Sequence, residues 1–214
     1  FRGVTVGVME PPDGVGFIGF LARQPSGYEA IAEVDTRTLA IDTDAFVGIL
    51  EDRFALMFGG IRQLSAQLLE ANKGSSEAAA DPVVDEEDCP TTPLDLVERL
   101  VRMSNHGVFT NSNLDAVMAL ARRQVERRWQ PGERIWSEGD ISDSGFSIRH
   151  GRVRCWNEAG DRRFKGGAGF GLGFLEGLAG VPRRVNAEAE TVVVALVDQI
   201  STVVDVLEDN SDLA

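Results

Sequence analysis

Histidine and cysteine are scarce, two of each in 214 residues, and the scarcity removes several chemistries at the outset. A metal enzyme on a rolled sheet needs clustered imidazoles, and His106 and His150 have no partner at ligand spacing. Cys89 stands in an acidic loop and Cys155 in an apparent strand, with neither metal spacing nor a disulfide framework, which fits a reducing cytoplasm. No Ser-His-Asp or Cys-His elbow occurs in a strand-turn-helix setting, so no catalytic role is expected. Positive charge is also short: 21 Lys and Arg against 34 Asp and Glu give a net charge of −13. Such a chain repels phosphate backbones and anionic lipid, which speaks against direct nucleic-acid or membrane binding. No run reaches the ~18 apolar residues of a membrane span, and the stretch FRGVTVGV lacks the layout of a signal peptide. The first residue is not methionine; we expect residues to be missing ahead of it.

What is present is a globular composition, 43% hydrophobic and 26% charged, enough for one ordinary core or two small ones. Segments recur in order along it. FRGVTV (1–6) matches RHGRVR (149–154) at an offset of 148, and FIGFLA (17–22) matches GLGFLE (171–176) at 154. AEVDT (32–36) matches EAET, ending at Thr191, at 155, and ILED (49–52) matches VLED (206–209) at 157. A slowly drifting offset is what small loop insertions produce between two copies of one unit. The second copy has about fifty residues upstream of RHGRVR that the first lacks, so the first copy is expected to be truncated at its N-terminus.

Three segments follow. Residues 1–70 read as the C-terminal half of a first domain with its following helix. Residues 71–93, ANKGSSEAAADPVVDEEDCPTTP, have the acidic, Ala/Ser/Pro-rich composition of a mobile linker. Residues 94–214 read as a complete second domain. Within 44–70, Phe46, Ile49, Leu50, Leu56, Ile61, Leu64 and Leu68 recur at helical spacing, with Gly59-Gly60 as a weak point or kink. That stripe either packs on its own domain or serves a homodimer or another protein. Helices are expected over 94–103 and over 111–128, the latter capped by Asn111 or Asn113. From Trp129 the texture changes to short alternating runs divided by Pro-Gly, Glu-Gly-Asp, His-Gly and Ala-Gly-Asp, a series of antiparallel strands. VVVALV (192–197) reads as a buried strand and ISTVVDVLED (200–209) as a helix. The class is α+β, an antiparallel β-roll or jelly roll flanked by helices.

In the order PGERIWSEGD, SGFSIRHGRVR, GFGLGFLEGLAGVPRRVNAEAET and VVVALVDQISTVVDVLED, the chain resembles the cyclic-nucleotide-binding domain family, of the catabolite activator and protein kinase A regulatory subunit type. The resemblance covers 95–210 in full order, and 1–70 as the second half of another copy. It implies a cradle in which a glycine-led short helix and a later arginine hold a cyclic phosphate, and a glutamate after the glycine takes the ribose hydroxyl. Glycines let the backbone approach an anion and a guanidinium forks onto phosphate. On this chain Gly171 matches the cradle glycine, Arg183 the phosphate arginine, and Leu172 falls where the glutamate belongs. In the first copy Phe17 falls at the glutamate and Tyr28 near the arginine. A ribose hydroxyl buried on leucine loses its partner, at a cost of ~1–3 kcal/mol, about tenfold to a hundredfold in affinity.

The candidate ligand-binding residues are therefore Gly171, Leu172, Gly173, Arg183 and Arg184, and the effector, if any, is a cyclic nucleotide or another small anion. The other reading has Phe170, Leu172, Phe174 and Leu175 plugging the roll, with the arginines paired to Glu176, Glu188 or Glu190. Ten arginines between Arg122 and Arg163 could also attract an acidic partner, including the linker's own DEED (85–88). No cofactor is expected. The leading reading is a non-catalytic regulatory or interaction protein with degenerate pockets; the alternative is a sensor of an anionic effector.

Overall fold

The computed structural model describes residues 5, 7–11, 13–16, 19, 27–71, 89–105, 112–160 and 163–210. They fall into two compact units, Phe1–Asp52 and Arg53–Ala214. FRGVTV, apart from Thr5, and residues 17, 18 and 20–26 of the first cradle, including Phe17, lie outside the described residues, as do DEED, His106 and Asn111.

In the first unit the described residues form one helix, α1 (Thr43–Asp52). The Asp42 carboxylate starts it by accepting from the backbone N–H of Asp44 (3.0 Å) and Ala45 (3.3 Å). The residues before it, 29–42, are in neither helix nor strand. Ile31, Val34, Leu39 and Ile41 there are 62–94% exposed.

The second unit opens with α2 (Phe54–Ala71), then α3 (Leu96–Ser104) and α4 (Leu114–Arg123). The helix expected over 44–70 is thus two helices, broken at Arg53, and α2 runs unbroken through Gly59-Gly60. Glycines cost about 1 kcal/mol each inside a helix, and the burial of α2 residues such as Leu69 works against that cost. The Arg53 carbonyl takes the Leu56 N–H at 2.8 Å and so begins the second helix. The boundary between the two units falls at this break, inside the segment read from sequence as one helix. A capping box fixes the start of α3: Asp95 Oδ1 accepts from the Glu98 N–H (2.8 Å) and Glu98 Oε2 from the Asp95 N–H (2.9 Å). Asn113 is the cap of α4 and accepts from the Asp115 N–H at 2.9 Å.

The helix expected over 111–128 ends at Arg123. Gln124 is extended (φ −63°, ψ 138°), and residues Val125–Trp129 form strand β1. ERR alone favours helix, but β1 supplies a neighbour for β8 (Val193–Gln199), whose first six residues are all buried. An interior strand with unpaired N–H and C=O groups on one edge costs more than the helix propensity of a few arginines contributes.

The other strands are β2 (Arg134–Trp136), β3 (Ser144–His150), β4 (Val153–Trp156), β5 (Arg163–Gly166), β6 (Gly171–Leu172) and β7 (Asn186–Ala189). They form two four-stranded sheets in the orders β1-β8-β3-β6 and β2-β7-β4-β5, with every pair antiparallel. A short helix, α5 (Phe174–Ala179), follows β6, and α6 (Ile200–Asp209) follows β8. This is the α+β roll expected from the alternating runs. Residues of both sheets share one apolar core, among them Trp136, Phe146, Ile148, Val153, Cys155, Leu172, Val193 and Val197. Burial pushes the Cys155 thiol up to about 12, so this cysteine serves as a core side chain. A second core joins α3, α4 and α6 through Met103, Ala116, Val117, Leu120, Ala121 and Val206. Both α1 and α6 are ten residues long, and their ends stand 157 residues apart.

One buried polar pair links α4 to β8. Gln124 Nε2 donates to Asp198 Oδ2 at 3.0 Å, with both residues buried. Burial raises the Asp198 carboxyl to about 6, against the Gln124 hydrogen bond, which lowers it. The folded chain therefore holds a proton between pH ~4 and ~6 that the unfolded chain, near the ordinary aspartate value of about 3.9, has lost. Ionised Asp198 costs stability above pH 6, and the cost disappears as pH falls toward 4. Asp198→Asn is accordingly expected to be more stable than the wild type by about 2–3 kcal/mol at pH 7.5, with the gap closing by pH 4.5. Denaturant titrations at the two pH values check this; a gap that does not change with pH contradicts it.

Candidate functional site

The cradle begins where β6 ends. Leu172 is paired with Phe146 and Gly171 with Ser147, which turns Leu172 inward, 4% exposed, into the core shared by the sheets. The position that the resemblance gives to a glutamate is thus filled by an apolar side chain on Trp136 and Phe146 ground. Gly173 follows in the left-handed region (φ 77°) and starts α5, which ends at Gly180, also left-handed (φ 69°). Phe174, the first residue of α5, lays its ring over Gly145 and Gly171, so closely at Gly145 that a Cβ there would overlap it. α5 is therefore seated on the roll by a ring inserted over β3 and β6.

Arg183 is reached after the turn that follows α5. Its backbone is fixed from both sides: its N–H donates to Asp140 O (2.9 Å) and its carbonyl accepts from the Gly139 N–H (2.8 Å). The side chain runs inward and is 3% exposed. Nη1 donates to Gly173 O (3.1 Å), and Nη2 to Ser144 O (2.5 Å) and Ser144 Oγ (3.2 Å). The guanidinium stacks over Trp136, 4.5 Å from the ring centroid, and lies 5.7 Å from that of Phe146. A Cβ on residue 173 would overlap Nη1, so glycine is needed here for space as well as for its positive φ. Burial pulls the Arg183 pKa below the usual arginine value, against the opposing fields of Glu176, Asp143 and Asp140. Nε has no hydrogen-bond partner among the described residues, and neither does the buried Ser142 Oγ.

The sequence-derived candidates therefore separate. Gly173 and Arg183 are in direct contact, Leu172 belongs to the core, Gly171 is exposed beside Phe174, and Arg184 turns away to pair with Glu70 of α2. The expected partners Glu176, Glu188 and Glu190 take neither arginine. Glu188 pairs with Arg154 (2.7 Å) and Arg134 (3.9 Å), and Glu190 with Lys165 (3.1 Å) and Arg152. For Glu188 both partners are its cross-strand neighbours, on β2 and β4. Phe170, expected as a plug, is 41% exposed and sits beside Phe164 at 6.4 Å. Some of the arginines beyond the cradle hold chain termini of elements in place: Arg128 donates to Pro90 O (3.0 Å) and Cys89 Sγ (2.7 Å), and Arg149 to Thr92 O (3.0 Å) and Glu126 (3.0 Å). They thus hold residues 89–92, just ahead of α3.

Trp136 and Ser144, the residues that occupy Arg183, lie inside the segments PGERIWSEGD and SGFSIRHGRVR, but nothing in those segments marks them as partners of the arginine, and Glu70 lies in no motif. Their contacts join positions 39 to 114 residues apart, which no local spacing encodes. A recess of about 630 Å³ lies between α3 and the β5–β6 turn, lined by Val97, Val101, Arg102 and Gly169 among others, and its lining includes no cradle residue. Among the described residues no group of His, Cys, Asp and Glu could hold a metal ion, and no helix is long and apolar enough to cross a membrane.

Two of the positions that the resemblance assigns to a cyclic nucleotide are already engaged within the protein. Arg183, at the phosphate position of the resemblance, serves two carbonyls and an indole ring, and Leu172, at the glutamate position, is a core side chain.

No family model matches the chain, and no curated protein does. Solved structures with similar folds include the sensor domain of the transcriptional regulator DNR from Pseudomonas aeruginosa, with a TM-score of 0.48, 12% identity, and coverage of 53% of this chain and 83% of that one. Another is the regulatory domain of Toxoplasma gondii protein kinase A with cAMP, at 0.46 and 14%, covering 56% and 50%. A third is a cAMP-binding acyltransferase from Mycobacterium smegmatis, at 0.42 and 20%, covering 51% and 35%. This chain thus spans about a third to a half of the length of the latter two.

Removing the guanidinium while keeping an unbranched apolar stem isolates its contribution. Arg183→Met leaves the carbonyls of Gly173 and Ser144 without their donors, and is expected to lower stability by about 2–4 kcal/mol. Arg154→Met on the exposed sheet face is expected to change it by under about 1 kcal/mol. Denaturant midpoints of the two variants check the contrast, and equal small effects contradict it.

Proposed function

We propose that the chain is a non-catalytic regulatory or interaction protein built on tandem cyclic-nucleotide-binding-like units, with a cradle filled by the protein's own side chains. The observation that carries this reading is the state of Arg183, buried, stacked on Trp136 and bonded to two main-chain carbonyls. A guanidinium so placed works as a structural cation. To serve an incoming phosphate it would have to give up three hydrogen bonds and a ring contact. The tandem arrangement is supported by α1 and α6, equal in length and set at the offset of the ILED and VLED motifs. In such a protein the output is a contact with another chain. Val47 and Ile49 on α1, and Leu56 and Leu68 on α2, 56% and 51% exposed, are the exposed apolar side chains of the 44–70 region available for a homodimer or a protein partner.

A second reading, an effector sensor, is favoured by the two buried polar atoms without partners, Arg183 Nε and Ser142 Oγ. Both residues border α5, Ser142 beside Gly177 and Arg183 beside Gly173, and an anion or hydroxyl reaching them would satisfy these atoms. Calorimetry with cyclic AMP, cyclic GMP and cyclic dinucleotides separates the readings. The first expects no binding tighter than millimolar. Micromolar binding that Arg183→Ala abolishes establishes the second and overturns the first.

A further inference from the structure

We propose that α2 is an intramolecular strap on the cradle helix, fastened by Glu70 to Arg184, and that a phosphate-class anion competes with Glu70 for that arginine. The proposal rests on the closed-cradle reading, because it gives the binding role to Arg184 while Arg183 stays in the core.

α5 has only six residues, too few to hold a helix by its own hydrogen bonds. It is kept in shape from several sides. Phe174 anchors it to β3 and β6 over Gly145 and Gly171, and Gly177 abuts Ile200 of α6 without room for a Cβ. α2 covers it from outside and packs on it more extensively than any other pair of helices in this unit. Ser65 and Leu69 are the buried residues of α2, and Ala179 is 8% exposed on α5. Two charged side chains of α2 reach the same turn. Arg62 lies against Gly180, the C-cap of α5, with no space for a side chain between them, and Glu70 pairs with Arg184 four residues further on.

This pair differs from the Arg183 site in exposure. The Arg184 side chain is 23% exposed and that of Glu70 51%. Ion pairs of this kind contribute little against water, so the exchange of one anion for another on Arg184 is inexpensive. A phosphate oxygen pair matches a guanidinium at least as well as a carboxylate does. An anion on Arg184 unfastens the last turn of α2, and by linkage the release of α2 strengthens anion binding by the same factor. Since the remaining apolar contact still holds α2, the coupling is graded, about two- to fivefold.

Hydrogen exchange of the full chain, read in α2 and α5, tests this with Glu70→Arg, Arg184→Glu and the double swap, using inorganic phosphate against chloride at matched ionic strength as the probe. Each single variant is expected to raise exchange in α2 about two- to fivefold and the double swap to restore protection. Phosphate is expected to raise it in the wild type and not in Arg184→Glu. Single variants as protected as the wild type, a double swap without recovery, or phosphate acting like chloride each overturn the strap. None of these results touches Arg183, so the closed cradle can stand while the strap fails. Conversely, cyclic-nucleotide binding abolished by Arg183→Ala removes the closed cradle whatever the exchange data show.

Discussion

A guanidinium in the middle of a β-roll is the constraint around which this domain is arranged. Arg183 has 3% of its surface exposed, and a buried charge is tolerated only where its surroundings answer it. Here the answers come from four separate elements: the β2 residue Trp136 below the cation, Ser144 at the start of β3, Gly173 at the mouth of α5, and a 139–140 turn that fixes the backbone. Because Gly173 O must face Nη1, residue 173 has to be a glycine with positive φ, and because α5 starts there, its position is set as well. Leu172 one residue earlier closes the interior with an aliphatic side chain. Charge, turn and core are therefore one cooperative unit.

Strand β8 connects this unit to the helices. Val193 and Val197 join the core between the sheets, while the strand's end carries Asp198 to Gln124 at the close of α4 and its continuation is α6. α6 in turn packs Val206 among α3 and α4 and places Ile200 against Gly177 of α5. Movement of α5 is thus felt by α6 through one tight contact, and by α2 through a broader one.

The sequence made much of this readable, and where it did not, the reason is physical. α6 was legible residue for residue because its apolar spacing is uninterrupted between a strand and an acidic end. The roll was legible because short alternating runs separated by glycine turns admit few other structures. β1 was hidden, since VERRW has helix-forming residues and becomes a strand only through its pairing with β8. The break at Arg53 was hidden for a related reason: Gly59-Gly60 is the obvious weak point of the stripe, yet the helix runs across it with Phe58 and Ile61 half-buried on either side and Ser65 and Leu69 buried beyond. Of the site, the glycine turn and the arginine were legible as neighbours, and Gly173 and Arg183 do touch. What no spacing could tell is whether the guanidinium faces outward to an anion or inward to an indole. That choice is made by Trp136 and Ser144, far away in the chain, and by a leucine in place of an acid.

The side-chain Nε–H of Arg183, observed by nitrogen-15 NMR, reports that choice most directly. On the present account its resonance is protected from solvent exchange, shows hindered rotation of the guanidinium, and does not move on addition of millimolar cyclic AMP. A resonance that exchanges as freely as those of the surface arginines, and shifts when the nucleotide is added, contradicts the account.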